Sequence, residues 1–338
     1  VPDRPHRTGS GAGDVDRGQG GPTLRDLGEF TVIDRLVAGR PPLRGVSVGA
    51  GDDAAVVDAP DGRVVVSTDM LVADRHFRLD WSTPHDVGRR AIAQNAADIE
   101  AMGARVTAFV VAFGAPPDTA AAAVQELADG MWQEAGRADA GIVGGDLVSC
   151  PQWVISVTAL GDLGGRTPVR RSGARPGAVV AVIGDLGCAA AGLALYRNGI
   201  DEFAPLRGRH RVPCPPYGQG RSAAEAGAQA MTDVSDGLMA DLGHLAVASG
   251  VVVDLDRELL RADADAVSAA AARAGVDPWS LVLGGGEDHC LVACFPADIP
   301  PGWRPIGVVR TEVSGGGAAA VLLDGERWAG VPGWQSYT

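Results

Sequence analysis

Apolar runs in this chain repeatedly give way to a carboxylate flanked by glycine or another small residue. The segments are Gly51-Asp52-Asp53, Ser67-Thr68-Asp69, Asn95-Ala96-Ala97-Asp98, Gly144-Gly145-Asp146, Asp233-Val234-Ser235-Asp236-Gly237 and Gly284-Gly285-Gly286-Glu287-Asp288. Such punctuation divides the chain into short strands and helices. At Asp69, Asp146 and Asp233 a strand-like run is expected to end in the acidic turn, and strand ends are where α/β-type folds gather ligand-binding groups. The 338 residues include no lysine to neutralise these carboxylates. Hard, oxygen-liganded cations are then the expected counter-charge, with Mg²⁺ the usual one where phosphates are handled.

With 46% apolar and 21% charged residues the chain is globular, and its length suits two domains. A net charge of −13 opposes nonspecific binding to nucleic acid or an anionic membrane, which would need a basic field. The five cysteines contain no CxxC pair, so neither a disulfide framework nor a structural zinc site is expected. No apolar run approaches the roughly 18 residues of a membrane span, and the start lacks the apolar core of a secretory signal. A soluble, cytoplasmic protein is the expectation.

Residues 1–22 are rich in Gly and Pro and poor in large apolar side chains, and read as a disordered tail. The sequence predicts strands at 54–58 and 64–68, joined through the hairpin signal Pro60-Asp61-Gly62. A helix is predicted from Pro84 to about Met102, capped by Thr83 and stopped by Gly103, with Asn95 and Asp98 on one side of it. Strands at 106–113, 140–143 and 153–160 and a helix over 118–137 complete an α+β N-terminal half. The Gly/Pro/Arg-rich stretch 164–177 suggests a domain division near 165, giving domains 23–165 and 166–338. The second domain is expected to hold strands at 178–183, 251–255, 289–295, 305–309 and 320–323. Its helices are expected at 186–198, 218–229, 237–249 and 263–274, with an irregular passage over 201–216.

The absence of lysine excludes the common ATP sites. A Walker A loop and a protein-kinase site both need one, as do Schiff-base chemistries. What remains for ATP is Mg²⁺, arginine and glycine-turn N–H groups. Singly, each acidic turn also has a backbone explanation, because Asp and Gly are common turn residues. Asp98 is more unusual, since Asp is a poor helix-interior residue.

Taken in order, these segments resemble the thiamine-monophosphate kinase family, within the superfamily of aminoimidazole ribonucleotide synthetase and selenophosphate synthetase. Further matching pieces are Gly28-Glu29-Phe30, His76-Phe77, Arg171-Ser172-Gly173, Asp241-Leu242-Gly243-His244 and Gly285-Gly286-Glu287-Asp288. The resemblance runs from about residue 24 to the C-terminal end. It implies a two-domain, aminoimidazole ribonucleotide synthetase-like α+β fold, with N-terminal mixed α/β domains pairing into a dimeric β-barrel and a C-terminal α/β domain. It also implies ATP-dependent phosphorylation of thiamine monophosphate to thiamine diphosphate by a homodimer. In that family pattern Asp53, Ser67, Thr68, Asp69, Asp98, Asp146, Asp233 and Asp236 would hold several Mg²⁺ ions. Gly145, Asp146, Arg171 and Ser235 would contact ATP, with Arg171 stabilising phosphate, and His76, Glu287 and Trp334 would face the thiamine moiety.

The residues alone leave rivals open. A selenophosphate synthetase would need a reactive Cys or selenocysteine and a lysine in a mobile N-terminal loop, and here the first cysteine is Cys150. An aminoimidazole ribonucleotide synthetase-like enzyme is the nearer rival. A noncatalytic divalent-metal or nucleotide-binding protein is another, although no EF-hand spacing is present.

Overall fold

The computed structural model describes residues 21–50, 54–311 and 319–334. The tail expected over 1–22 and the acidic turn with Asp53 therefore lie outside the described residues, apart from residues 21 and 22. In chain order the elements are α1 (Leu24–Leu27), α2 (Glu29–Val37), β1 (Val46–Val48), β2 (Val56–Val57), β3 (Val65–Val72), α3 (Pro84–Ala101), β4 (Arg105–Ala115), α4 (Ala121–Arg137), β5 (Ile142–Ser149) and β6 (Val154–Asp162). There follow β7 (Val179–Ile183), α5 (Cys188–Arg197), α6 (Ala204–Arg211), α7 (Gln219–Glu225), β8 (Ala230–Asp233), α8 (Leu238–Ser249) and β9 (Val252–Leu255). The last are α9 (Arg261–Ala274), α10 (Pro278–Gly284), β10 (Leu291–Phe295), β11 (Arg304–Arg310) and β12 (Ala320–Leu323).

Two larger sheets organise these pieces. The first has the order β3-β6-β4-β5, antiparallel except for the β4–β5 pair. One face is covered by α3 and α4 around a core that includes Ile92, Ile99, Phe109 and Ile155. The second has the order β12-β9-β11-β7-β10-β8, antiparallel except for β12–β9. Helices α5, α8, α9 and α10 contribute to its core, together with Val180, Val182, Leu242 and Val292.

Helix α3 forms where the sequence places it. Thr83 accepts from the Asp86 N–H, Asp86 reciprocates to the Thr83 N–H, and Pro84 stands where its missing donor costs nothing. Its contact with α4 depends on reciprocal glycines. A Cβ on Gly88 would run into the Leu127 carbonyl, and one on Gly130 into the His85 carbonyl. The other side of α3 meets the second half of the chain at β8, α6, α7 and β10.

Several expectations are corrected. The strands around Pro60-Asp61-Gly62 do not form a hairpin: Gly62 N–H closes a turn on the Ala59 carbonyl, but β2 pairs with β1 and β3 with β6. Asp69 and Asp146 lie inside β3 and β5 rather than in turns after them, because each strand runs on through further apolar residues. Asp233 does end its strand, β8. The passage expected to be irregular contains α6, which packs on α5.

Candidate active site

The site is assembled where α3 passes between β3 and the ends of β8 and β10. Along β3, Ser67 and Asp69 point toward α3 while Thr68 and Met70 point away, as strand alternation requires. Ser67 Oγ donates to Asp98 Oδ2 at 2.6 Å, and the Asp69 N–H donates to Asn95 Oδ1 at 2.9 Å. Asn95 and Asp98 thus share the side of α3 that grips β3. Gln94 adds a longer contact to Asp69 Oδ2 at 3.5 Å.

From the second sheet, Asp233 brings a buried carboxylate to the same place. Burial raises Asp98 to about 7, and the nearby Asp233 and Asp69 charges add to that, against the Ser67 hydrogen bond. Asp69 is raised by burial as well, with His289 opposing and Asp233 and Glu287 reinforcing. Asp236 is also raised, first by burial, while His244 and Arg171 oppose. These carboxylates are held close enough to resist ionising together, an arrangement that a hard cation relieves. Among the described residues no group of three or more His, Cys, Asp or Glu is drawn together tightly enough to hold a metal unaided.

The loop 233–237 is stiffened by a residue not singled out as functional from the sequence. Asp241 Oδ2 accepts from the Ser235, Asp236 and Gly237 N–H groups at 3.0, 3.0 and 3.1 Å, and burial raises this carboxyl to about 7. Beside it Arg171 Nε donates to Thr232 Oγ1 at 3.3 Å, next to Asp233. The segment before the C-terminal end closes over the same loop: the Ala240 N–H donates to the Pro332 carbonyl, and the Trp334 N–H to the Asp236 carbonyl at 2.9 Å. Trp334 is thereby anchored through its backbone while its side chain remains about half exposed.

Glu287 and His289 both have left-handed backbones, φ 70° and 52°, which are uncommon for residues with side chains. Their N–H groups donate to the carbonyls of Ser235 and Val234 at 2.8 and 2.9 Å. A Cβ on Gly286 would collide with the Ser235 carbonyl, so the glycine run permits this approach. Glu287 Oε2 lies 2.7 Å from Arg90 and 3.7 Å from His289 Nε2, and His289 Nδ1 is 3.1 Å from Asp233 Oδ2. Burial would raise Glu287, but Arg90 and His289 prevail and bring it to about 2. Burial would lower His289, but its two carboxylate partners raise it to about 10. His76 Nδ1 accepts from the Val72 N–H at 3.0 Å, which leaves Nε2 as the protonated nitrogen of the neutral ring. Its pKa is lowered, first by burial.

The structure therefore gathers Ser67, Asp69, Asp98, Asp233, Asp236, Ser235, Arg171, His76 and Glu287 around one junction. Thr68 and Asp146 lie on the opposite face of the first sheet from this junction. Thr68 Oγ1 donates to the Val157 carbonyl on its own sheet. Leu147 turns to the core, so neighbouring Asp146 lies on the outward face. Gly145 and Asp146 occupy edge strand β5, three strand spacings from β3 and about 14 Å away at typical strand spacing. Arg90 and His289 were missed because nothing in their local sequence reveals partners from distant segments, whereas Asp241 was noticed within a motif but given no role, although its partners lie only four to six residues before it.

The fold and site define a two-sheet protein in which carboxylates from both sheets meet beside one helix. Residues 51–163 match the family described as AIR synthase related protein, N-terminal domain. The chain is 66% identical over 316 residues to the thiamine-monophosphate kinase of Mycobacterium tuberculosis (strain H37Rv), spanning 94% of this chain and 93% of that one. A crystal structure of thiamine-monophosphate kinase from Stenotrophomonas maltophilia K279a superposes with a TM-score of 0.72 at 31% identity, covering 89% of this chain and 98% of that one. AaThiL complexed with AMPPCP and TMP also gives a TM-score of 0.72, at 29% identity, covering 93% and 98% respectively. The chain belongs to the thiamine-monophosphate kinase family.

Proposed function

We propose that this enzyme transfers the γ-phosphoryl group of ATP to thiamine monophosphate, giving thiamine diphosphate, with Mg²⁺ held by Asp69, Asp98, Asp233 and Asp236 and aided by Ser67 and Asp53. The observation that carries the reading is the convergence of desolvated carboxylates from two sheets beside Arg171 and Glu287. The acceptor is a phosphate monoester with a second pKa of about 6, so its attacking oxygen is already ionised at neutral pH and needs no general base. The barrier is the meeting of two polyanions: each pair of unit charges at about 4 Å costs roughly 4 kcal/mol at an effective dielectric of 20. Bound Mg²⁺ would offset that repulsion and align the phosphates.

The chain's own groups do the rest. Arg171 donates to phosphate, and Ser235 lies beside it in a loop made rigid by Asp241. Glu287 accepts from the aminopyrimidine, His76 Nε2–H donates, and the Trp334 indole covers the cationic ring. The outward face of the first sheet exposes Val66, Met70, Val110 and Val148, and we propose that a second copy covers it to form a homodimer. In this reading Thr68, Gly145 and Asp146 lie on or beside that interface, where Gly145 and Asp146 meet the nucleotide. The proposed domain division remains near residue 165. No helix among the described residues is long and apolar enough to cross a membrane, and the five free thiols suit the proposed cytoplasmic location.

Incubation with ATP, Mg²⁺ and thiamine monophosphate, followed by chromatography, should yield thiamine diphosphate. No product with any divalent cation refutes the reading. Asp98→Asn should lose at least about 100-fold in turnover without a lower melting temperature, because it removes a buried charge that its neighbours repel.

A further inference from the structure

Arg90 has no part in the site as read from the sequence, yet it is among the most buried charged groups in the protein, 2% exposed. We infer that Arg90 is a positioning residue: it holds the Glu287 carboxylate at the substrate side of the site and ties that carboxylate to helix α3. This rests on the proposed role of Glu287 toward thiamine monophosphate.

Three observations support it. First, Arg90 makes a two-sided bridge. One terminal nitrogen lies 2.7 Å from Glu287 Oε2, and the other donates to the His210 carbonyl at 2.7 Å. The His210 ring packs against Trp81 and Tyr196, which stack on each other at 5.1 Å, so the anchor itself is fixed. Second, Arg90 does not bury the carboxylate it holds. The Glu287 side chain nevertheless remains 39% exposed, so the carboxylate that Arg90 holds still faces the site and can accept from a ligand amine.

Third, Arg90, Gln94 and Asp98 follow one another at four-residue intervals along α3, which puts them on one side of the helix. Asp98 meets Ser67, Gln94 meets Asp69 and Arg90 meets Glu287. One stripe of one helix therefore sets the distance between the carboxylates assigned to metal and the carboxylate assigned to substrate. A lysine could not make the same two-sided bridge with a planar fork.

The test is calorimetric titration of thiamine monophosphate into the enzyme with Mg²⁺ and AMPPCP present, using wild type, Glu287→Gln, Arg90→Met and the double variant. Each single variant should bind thiamine monophosphate at least tenfold more weakly, with AMPPCP affinity changed less than twofold. The double variant should match Glu287→Gln, because Arg90 acts through Glu287. Equal losses for both ligands, wild-type affinity in Arg90→Met, or multiplied losses in the double variant would overturn the assignment. If Arg90→Met fails to fold, comparing the double variant with Glu287→Gln decides it alone, since neither leaves Glu287 charged and unpaired. A wild type that binds thiamine monophosphate but forms no diphosphate would refute the proposed function while leaving Arg90 tested. A wild type that does not bind it would remove both.

Discussion

His210 shows how a residue far from any motif can set a solution property. Burial, helped by the nearby Arg90 charge, lowers its pKa from the ordinary 6.5 to about 3. The unfolded chain takes up a proton near 6.5, while the folded protein refuses it until near 3. Its contribution to stability is therefore complete above about 6.5 and is lost as the pH falls toward 3, with a slope of up to about 1.4 kcal/mol per pH unit. His210→Phe retains an aromatic ring against Trp81 and Tyr196 and should flatten the fall in melting temperature between pH 6.5 and 4; an unchanged slope would mean that other groups govern it. At this scale the sequence revealed carboxylates but not charge partners. Asp98 stood out inside an alanine-rich helix and Asp69 and Asp233 at the ends of apolar runs, whereas Arg90 and His289 acquire meaning only from Glu287 and Asp233.

Among the elements, the α3–α4 pair depends on small residues from both helices. Gly88→Ala would press a methyl group onto the Leu127 carbonyl and force the helices apart. It should cost about 1–3 kcal/mol, read from the urea midpoint, despite alanine's better helix propensity. A gain in stability would show that the contact can yield. Helix α3 was legible because Thr83, Pro84 and Gly103 mark its ends by local chemistry. By contrast, α6 was hidden in a passage rich in Arg and Pro, where packing against α5 overrides poor apolar periodicity. The failed hairpin has a similar cause: Pro60-Asp61-Gly62 fixes a turn, but a turn cannot decide which strands pair across a sheet.

For the whole molecule, the two sheets follow from the order of strand-like segments, whereas their junction does not, because it is built from contacts between distant parts of the chain. The outward face of the first sheet makes the clearest prediction. Met70→Asp, at a side chain 53% exposed, should shift the protein from dimer to monomer in light scattering. A wild type already monomeric at micromolar concentration would refute the proposed pairing. The arginine bridge also has a consequence for biosynthesis. Arg90 leaves the ribosome 120 residues before His210, its first partner, and Glu287 comes later still. At about 5–20 residues per second the guanidinium waits roughly 6–24 s for that first contact. During translation α3 thus presents an unfinished, charged flank, and the nascent N-terminal half cannot reach its final form until its distant partners have been made.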